Sequence, residues 1–137
     1  MSHRIPHSLT RDRLLLDTHV WLWWQRDDRR LSSDTRDAIA SAAEAYISAA
    51  SVWEMTIKIA LERLHVPSDI GEAIKAGGFL ELPVFFRHIA ALNALPDRHR
   101  DPFDRLLVSQ ATVDGLLFVT ADRAIRSYDL PCLWNAS

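Results

Sequence analysis

Arg13-Leu14-Leu15-Leu16-Asp17-Thr18-His19 is the stretch on which the rest of the chain is organised. Three consecutive leucines form a short unbroken apolar run, which suits a strand buried on both faces of a sheet with a helix to follow. Asp17 then stands where that strand ends. In open α/β sheets the carboxyl ends of the strands form the crevice where ligands bind. A carboxylate there is either a cap for the next helix or part of a site. The two readings separate on whether other carboxylates arrive at the same edge.

Working outward, Thr18–Trp24 reads as a short helix and Gln25–Arg30 as a polar loop. Ser32, Ser33 and Asp34 offer caps for a helix running to about Glu44. Ala45–Ser48 is a weaker second strand. Ser51–Leu64 predicts a helix with Trp53, Ile57, Leu61 and Leu64 on one apolar stripe and Val52, Met55 and Ile59 on another. A helix apolar over that much of its surface is buried on two sides or covered by a partner on one. A short helix follows from Ser68 or Asp69 to Gly77-Gly78. Leu80–Val84 is extended, and Pro83 argues for an edge or connector. Phe86–Leu95 is helical, Pro96–Pro102 is a charged loop, and Phe103–Asp114 is a helix broken by Gly115. Leu116–Thr120 is the clearest strand after the first. Ala121–Ser127 is a turn and short helix, and Cys132–Trp134 a last edge strand. Strands alternating with helices imply a layered α/β fold with a parallel sheet.

The chain of 137 residues is the length of one domain, and 48% hydrophobic with 25% charged residues is a globular composition. A formal net charge of −2 gives no whole-molecule field for nucleic acid, so any such binding needs a local patch. The single cysteine, Cys132, excludes an internal disulfide and a multi-cysteine zinc site, and fits a reducing cytoplasm. Residues 1–12 hold basic residues with no apolar core behind them. They read as a flexible arm, or as sequence ahead of the true start, rather than a signal peptide. The domain proper is expected to span 13–137.

Four acids fall at element junctions. Asp17 ends the first strand, Glu54 lies in the first turn of the helix after the second, Asp104 opens the helix after the charged loop, and Asp122 lies two residues past Leu116–Thr120. In a parallel sheet these junctions share one edge. Each has a plainer role: Asp17 and Asp122 as helix caps, Glu54 as partner of Lys58 at i+4, and Asp104 as a first-turn acid behind the cap Asp101 and Pro102. Asp104, however, heads a face with Leu107, Val108 and Ala111 that should pack on the sheet. Carboxylates crowded at a partly desolvated edge repel unless a cation neutralises them. No lysine or arginine recurs at all four junctions, and oxygen donors point to Mg²⁺ or Mn²⁺. His19 and His99 fall near the same edge without zinc spacing, so a structural or substrate-contacting role suits them better. Such a site suits phosphodiester hydrolysis, and no P-loop pattern is present.

The segments LLLDTHVWLWW, SAASVWEMTIK, HRDPFDRLLVSQA and FVTADRAI, in this order, resemble the PIN-domain ribonucleases. They look most like the VapC-type toxins of toxin–antitoxin pairs, over about Leu14 to Trp134. The resemblance implies a three-layer α/β/α sandwich and a Mg²⁺- or Mn²⁺-dependent endoribonuclease. It also implies a cognate antitoxin protein and a homodimer. The family's acids fall on Asp17, Glu54, Asp104 and Asp122, as catalytic and metal-holding residues. Thr18 and Thr120 take the places of its site hydroxyls, as substrate-binding candidates. Arg98, Arg100, Arg105 and Arg123 flank the third and fourth acids and are candidates for gripping RNA phosphates. Lys58 suits a pair with Glu54 better than an RNA contact. Two other classes compete. An aspartate-nucleophile phosphatase would carry a second aspartate where His19 stands. A non-catalytic binding module need not take metal.

Overall fold

The structure is a computed structural model that describes residues 12–66, 69–96, 101–128 and 130–135, with backbone only at 126 and 127. The expected N-terminal arm, apart from Asp12, lies outside the described residues. Five parallel strands form one sheet: β1 Arg13–Leu16, β2 Glu44–Ser48, β3 Leu80–Leu82, β4 Leu117–Thr120 and β5 Cys132–Trp134, in the order β3-β2-β1-β4-β5. The leucine run lies at the centre, with Leu15 opposite Tyr46 on one side and Phe118 on the other. From β1 the strand order proceeds outward in opposite directions. The gap between β1 and β4 is therefore the switch point at which such sheets bind ligands.

Both faces are covered, which is why all three leucines are fully buried. Leu14, Leu16, Ala45, Ile47, Leu117 and Val119 pack against a layer that includes Val20 and Trp21 of α1 (Thr18–Gln25), Ile39 of α2 (Ser33–Ser41), Met55 of α3 (Ala49–Ala60) and Ile74 of α4 (Ile70–Ala76). Leu15, Phe118 and Cys132 face the other way, against Leu107, Val108 and Ala111 of α6 (Pro102–Asp114). Burial there pushes the Cys132 thiol up to about 12, so it is a packing group. The short α5 (Phe86–Ala91) is clamped to α6: Arg87 and the fully buried His88 both reach Asp114, at 3.1 Å each. His88 Nδ1 accepts the Phe85 N–H at 3.0 Å, which leaves the ring proton on Nε2 for Asp114. The three-layer sandwich expected from the resemblance is present. Among the described residues no helix is long and apolar enough to cross a membrane.

Four helix boundaries differ from the sequence reading by two residues or more. The second helix ends at Ser41, because Glu44 already pairs with Arg13 as strand. The third starts at Ala49, since Ser48 caps it by accepting the Ala50 N–H at 3.0 Å. It stops at Ala60 rather than Leu64, because Glu62 turns left-handed at φ 59°. Phe86–Leu95 is a helix only to Ala91, followed by a 3-10 turn over Leu92–Ala94.

Candidate active site

Asp17 begins the site because β1 ends there. Its backbone N–H donates to Val119 O at 2.9 Å, carrying the β1–β4 pairing one residue past the strand. The side chain is 5% exposed and spends each oxygen differently. Oδ1 caps α1 by accepting the Thr18 N–H at 2.7 Å, while Oδ2 accepts the hydroxyl of Thr120 at 2.7 Å. Thr120 Oγ1 in turn accepts the Asp122 N–H at 3.0 Å. One hydroxyl thus holds the first acid and the backbone of the fourth. Burial raises the Asp17 pKa; Thr120, the charge of His19 and the Thr18 N–H pull it down, and the nearby Asp122 carboxylate raises it again. Asp122 still acts as a cap, accepting the Ala124 N–H at 2.9 Å.

Thr18 ties Asp17 to Glu54. Its hydroxyl lies 2.9 Å from Glu54 Oε1 and 2.8 Å from Ser51 Oγ, and all three side chains are buried. Glu54 Oε2 pairs with Lys58 Nζ at 3.2 Å, the i+4 partnership expected of it. Because α3 starts at Ala49, Glu54 lies in its second turn rather than its first. Ser51, three residues before Glu54, shares its face of α3 and so meets the same Thr18 hydroxyl. Ser51 escaped the sequence reading; the available signal was its position one turn before Glu54 on the same helical face.

Asp104 is the third residue of α6, behind Pro102 and Phe103, with Asp101 capping both Phe103 (2.9 Å) and Asp104 (3.3 Å) as expected. That first turn meets α3 through Phe103, whose ring stands edge-on to Trp53 at 5.1 Å. The helix that carries Asp104 is therefore held against the helix that carries Glu54. Among the described residues no three carboxylate, imidazole or thiol groups form a ready-made metal cage. The donor chemistry nevertheless fits a hard divalent cation: oxygen ligands, with a buried Asp17 carboxyl and like-charged Asp122 beside it.

Three of the residues expected to contact substrate have partners within the chain. Thr18 and Thr120 are 2% and 0% exposed, with their hydroxyls donated to the carboxylates of Glu54 and Asp17, which they orient. Arg105 spends its guanidinium on the chain itself, donating to Pro96 O at 2.9 Å, Tyr128 Oη at 3.2 Å and Leu92 O at 3.4 Å, which braces the loop ahead of α6. Arg123 is exposed beside Asp122. Arg98, His99 and Arg100 lie outside the described residues. His19 is exposed, one position past Thr18.

The PIN domain profile matches residues 14–130. This chain belongs to the PIN-domain family. Among individual proteins, Ribonuclease VapC22 of Mycobacterium tuberculosis is 31% identical to this PIN domain over 125 residues, covering 86% of this chain and 93% of that protein. Two solved structures share the PIN fold at low identity. One is VapBC2 from Rickettsia felis bound to a DNA fragment from their promoter, with TM-score 0.61, 12% identity, and 88% and 96% of the respective chains covered. The other is a toxin–antitoxin complex from Klebsiella pneumoniae, with TM-score 0.58, 14% identity, and 82% and 89% covered.

Proposed function

We propose that this PIN domain is a metal-dependent endoribonuclease that hydrolyses RNA phosphodiester bonds and acts as the toxin of a toxin–antitoxin pair. The observation that carries the reading is the buried Asp17 at the switch point, linked through Thr18 to Glu54 and through Thr120 to Asp122. The likeness to a ribonuclease over nearly the whole chain supports the reaction. The toxin–antitoxin complexes that share the fold suggest the protein partner.

In this reading Asp17, Glu54, Asp104 and Asp122 hold Mg²⁺ or Mn²⁺ at the crevice. When bound, the cation supplies an activated water and neutralises charge building on phosphorus. The chain does the rest. Thr120 and the Thr18 N–H fix the Asp17 carboxylate so that it need not reorganise during the reaction. Lys58 balances Glu54. Arg123 offers a cation to RNA phosphates beside Asp122, and Arg98 and Arg100, outside the described residues, are proposed from the sequence for the same role. The cytoplasm, where RNA is found, is the proposed place of action.

The partners are a cognate antitoxin and a second copy of the chain. The stripe expected on α3 is exposed rather than packed in the core: Trp53 is 62% exposed, Ile57 37% and Leu61 56%. A row of large apolar groups in water is the mark of a surface that something covers, and we assign it to the second copy.

Asp17→Asn keeps a cap oxygen while removing the charge. It should abolish Mn²⁺-dependent cleavage of single-stranded RNA, measured on a gel, while circular dichroism stays native. Cleavage that survives this change would remove the site from the proposal. A binding module would leave RNA intact in both proteins, and calorimetry with Mn²⁺ would then show whether metal binds at all.

A further inference from the structure

Glu54 is engaged on both oxygens, and the two holds differ in kind. Lys58, at 3.2 Å from Oε2, has a side chain 37% exposed and can pass its charge to water at little cost. Thr18, at 2.9 Å from Oε1, is 2% exposed and cannot. A buried hydroxyl that loses its acceptor bears the full desolvation penalty. Any cation that draws Glu54 towards the crevice would incur it, unless a second acceptor stands by. Ser51 Oγ is that acceptor: it is fully buried and 2.8 Å from the same Thr18 hydroxyl.

We infer that Ser51 is a positioning residue for the cation site, taking over the Thr18 hydrogen bond when Glu54 turns towards a divalent cation. No covalent bond changes. The Thr18 O–H rotates about its Cβ–Oγ bond, its single proton pointing to Glu54 at rest and to Ser51 when the site is loaded. Ser51 touches neither RNA nor cation; it acts through Thr18 on the freedom of Glu54. This deepens the proposed nuclease reading and rests on the cation site within it.

The test is calorimetric titration of the RNA-free protein with Mn²⁺. Ser51→Ala leaves Thr18 committed to Glu54, and Mn²⁺ affinity should fall about fivefold, the value of one hydrogen bond. Ser51→Thr, which keeps the hydroxyl, should restore it. In a Thr18→Val background Glu54 is no longer held, so adding Ser51→Ala should change nothing further. A purely structural Ser51 would cost the same in both backgrounds, and that outcome overturns the inference. Equal affinity in the wild type and Ser51→Ala also overturns it while leaving the cation site standing. A wild-type chain that takes no Mn²⁺ brings down the site and the inference together. Should Ser51→Ala fail to fold, Ser51→Cys, with a poor acceptor of similar shape, carries the same comparison.

Discussion

Asp17 and Asp114 are both largely buried aspartates, and they oppose each other in their effect on stability. Burial raises the Asp17 pKa beyond what its hydrogen bonds recover. The folded protein holds that proton more tightly than the unfolded chain does, so ionised Asp17 opposes folding once pH rises past the ordinary carboxylate range, about pH 4. Burial also acts to raise Asp114, but Arg87 and His88 outweigh it and hold the carboxyl below its usual value. Asp114 therefore contributes stability above that range and loses it as pH falls. Asp17→Asn is expected to stabilise the fold at neutral pH, and Asp114→Asn to destabilise it. Both differences should shrink on acidification, as read from urea unfolding at a series of pH values. The sequence made Asp17 legible, because three leucines led into it. Ser51 and the committed hydroxyls of Thr18 and Thr120 were not, because a hydroxyl's partner depends on contacts between distant segments, at separations of 33 and 103 residues for Thr18–Ser51 and Thr120–Asp17.

At the level of elements, two helices end by the same device and only one advertises it. Gly115 closes α6 at φ 66°, a conformation open to glycine without strain, and the sequence placed that end correctly. At the end of α3, Glu62 takes the same left-handed position at φ 59°, with its N–H on Ile59 O at 3.0 Å and the Arg63 N–H on Lys58 O at 2.8 Å. This is a Schellman closure built on a residue that dislikes it. Side-chain periodicity continues to Leu64 while the backbone has already turned, which is why the helix reads too long from its apolar residues. Glu62→Gly should raise the stability of the protein by about 1 kcal/mol, seen as a higher thermal midpoint with unchanged helicity.

Across the whole molecule, the five parallel strands and their order follow from alternation of apolar runs with helical stretches, and the fold class was accessible from that alone. What covers α3 was not, because apolar periodicity marks a face without saying whether protein or water lies beyond it. Met55 and Leu61 make the contrast on one helix and its cap, at 0% and 56% exposed. Met55→Ala should cost about 2–5 kcal/mol by opening a cavity in the core. Leu61→Lys should leave unfolding within about 0.5 kcal/mol of wild type, yet shift the protein towards the monomer in light scattering. Loss of stability in the second variant, or an unchanged assembly state, would remove that stripe from the proposed contact with a second copy.

β1 pairs with β4, so Leu14 meets Leu117, and Asp17 receives its hydrogen bond from Thr120 across a separation of 103 residues. Until that part of the chain is made, the first acid lacks both the Val119 carbonyl and the Thr120 hydroxyl. A product released by premature termination ahead of Leu117 lacks β4 and the Thr120 hydroxyl, and so cannot assemble this edge of the site.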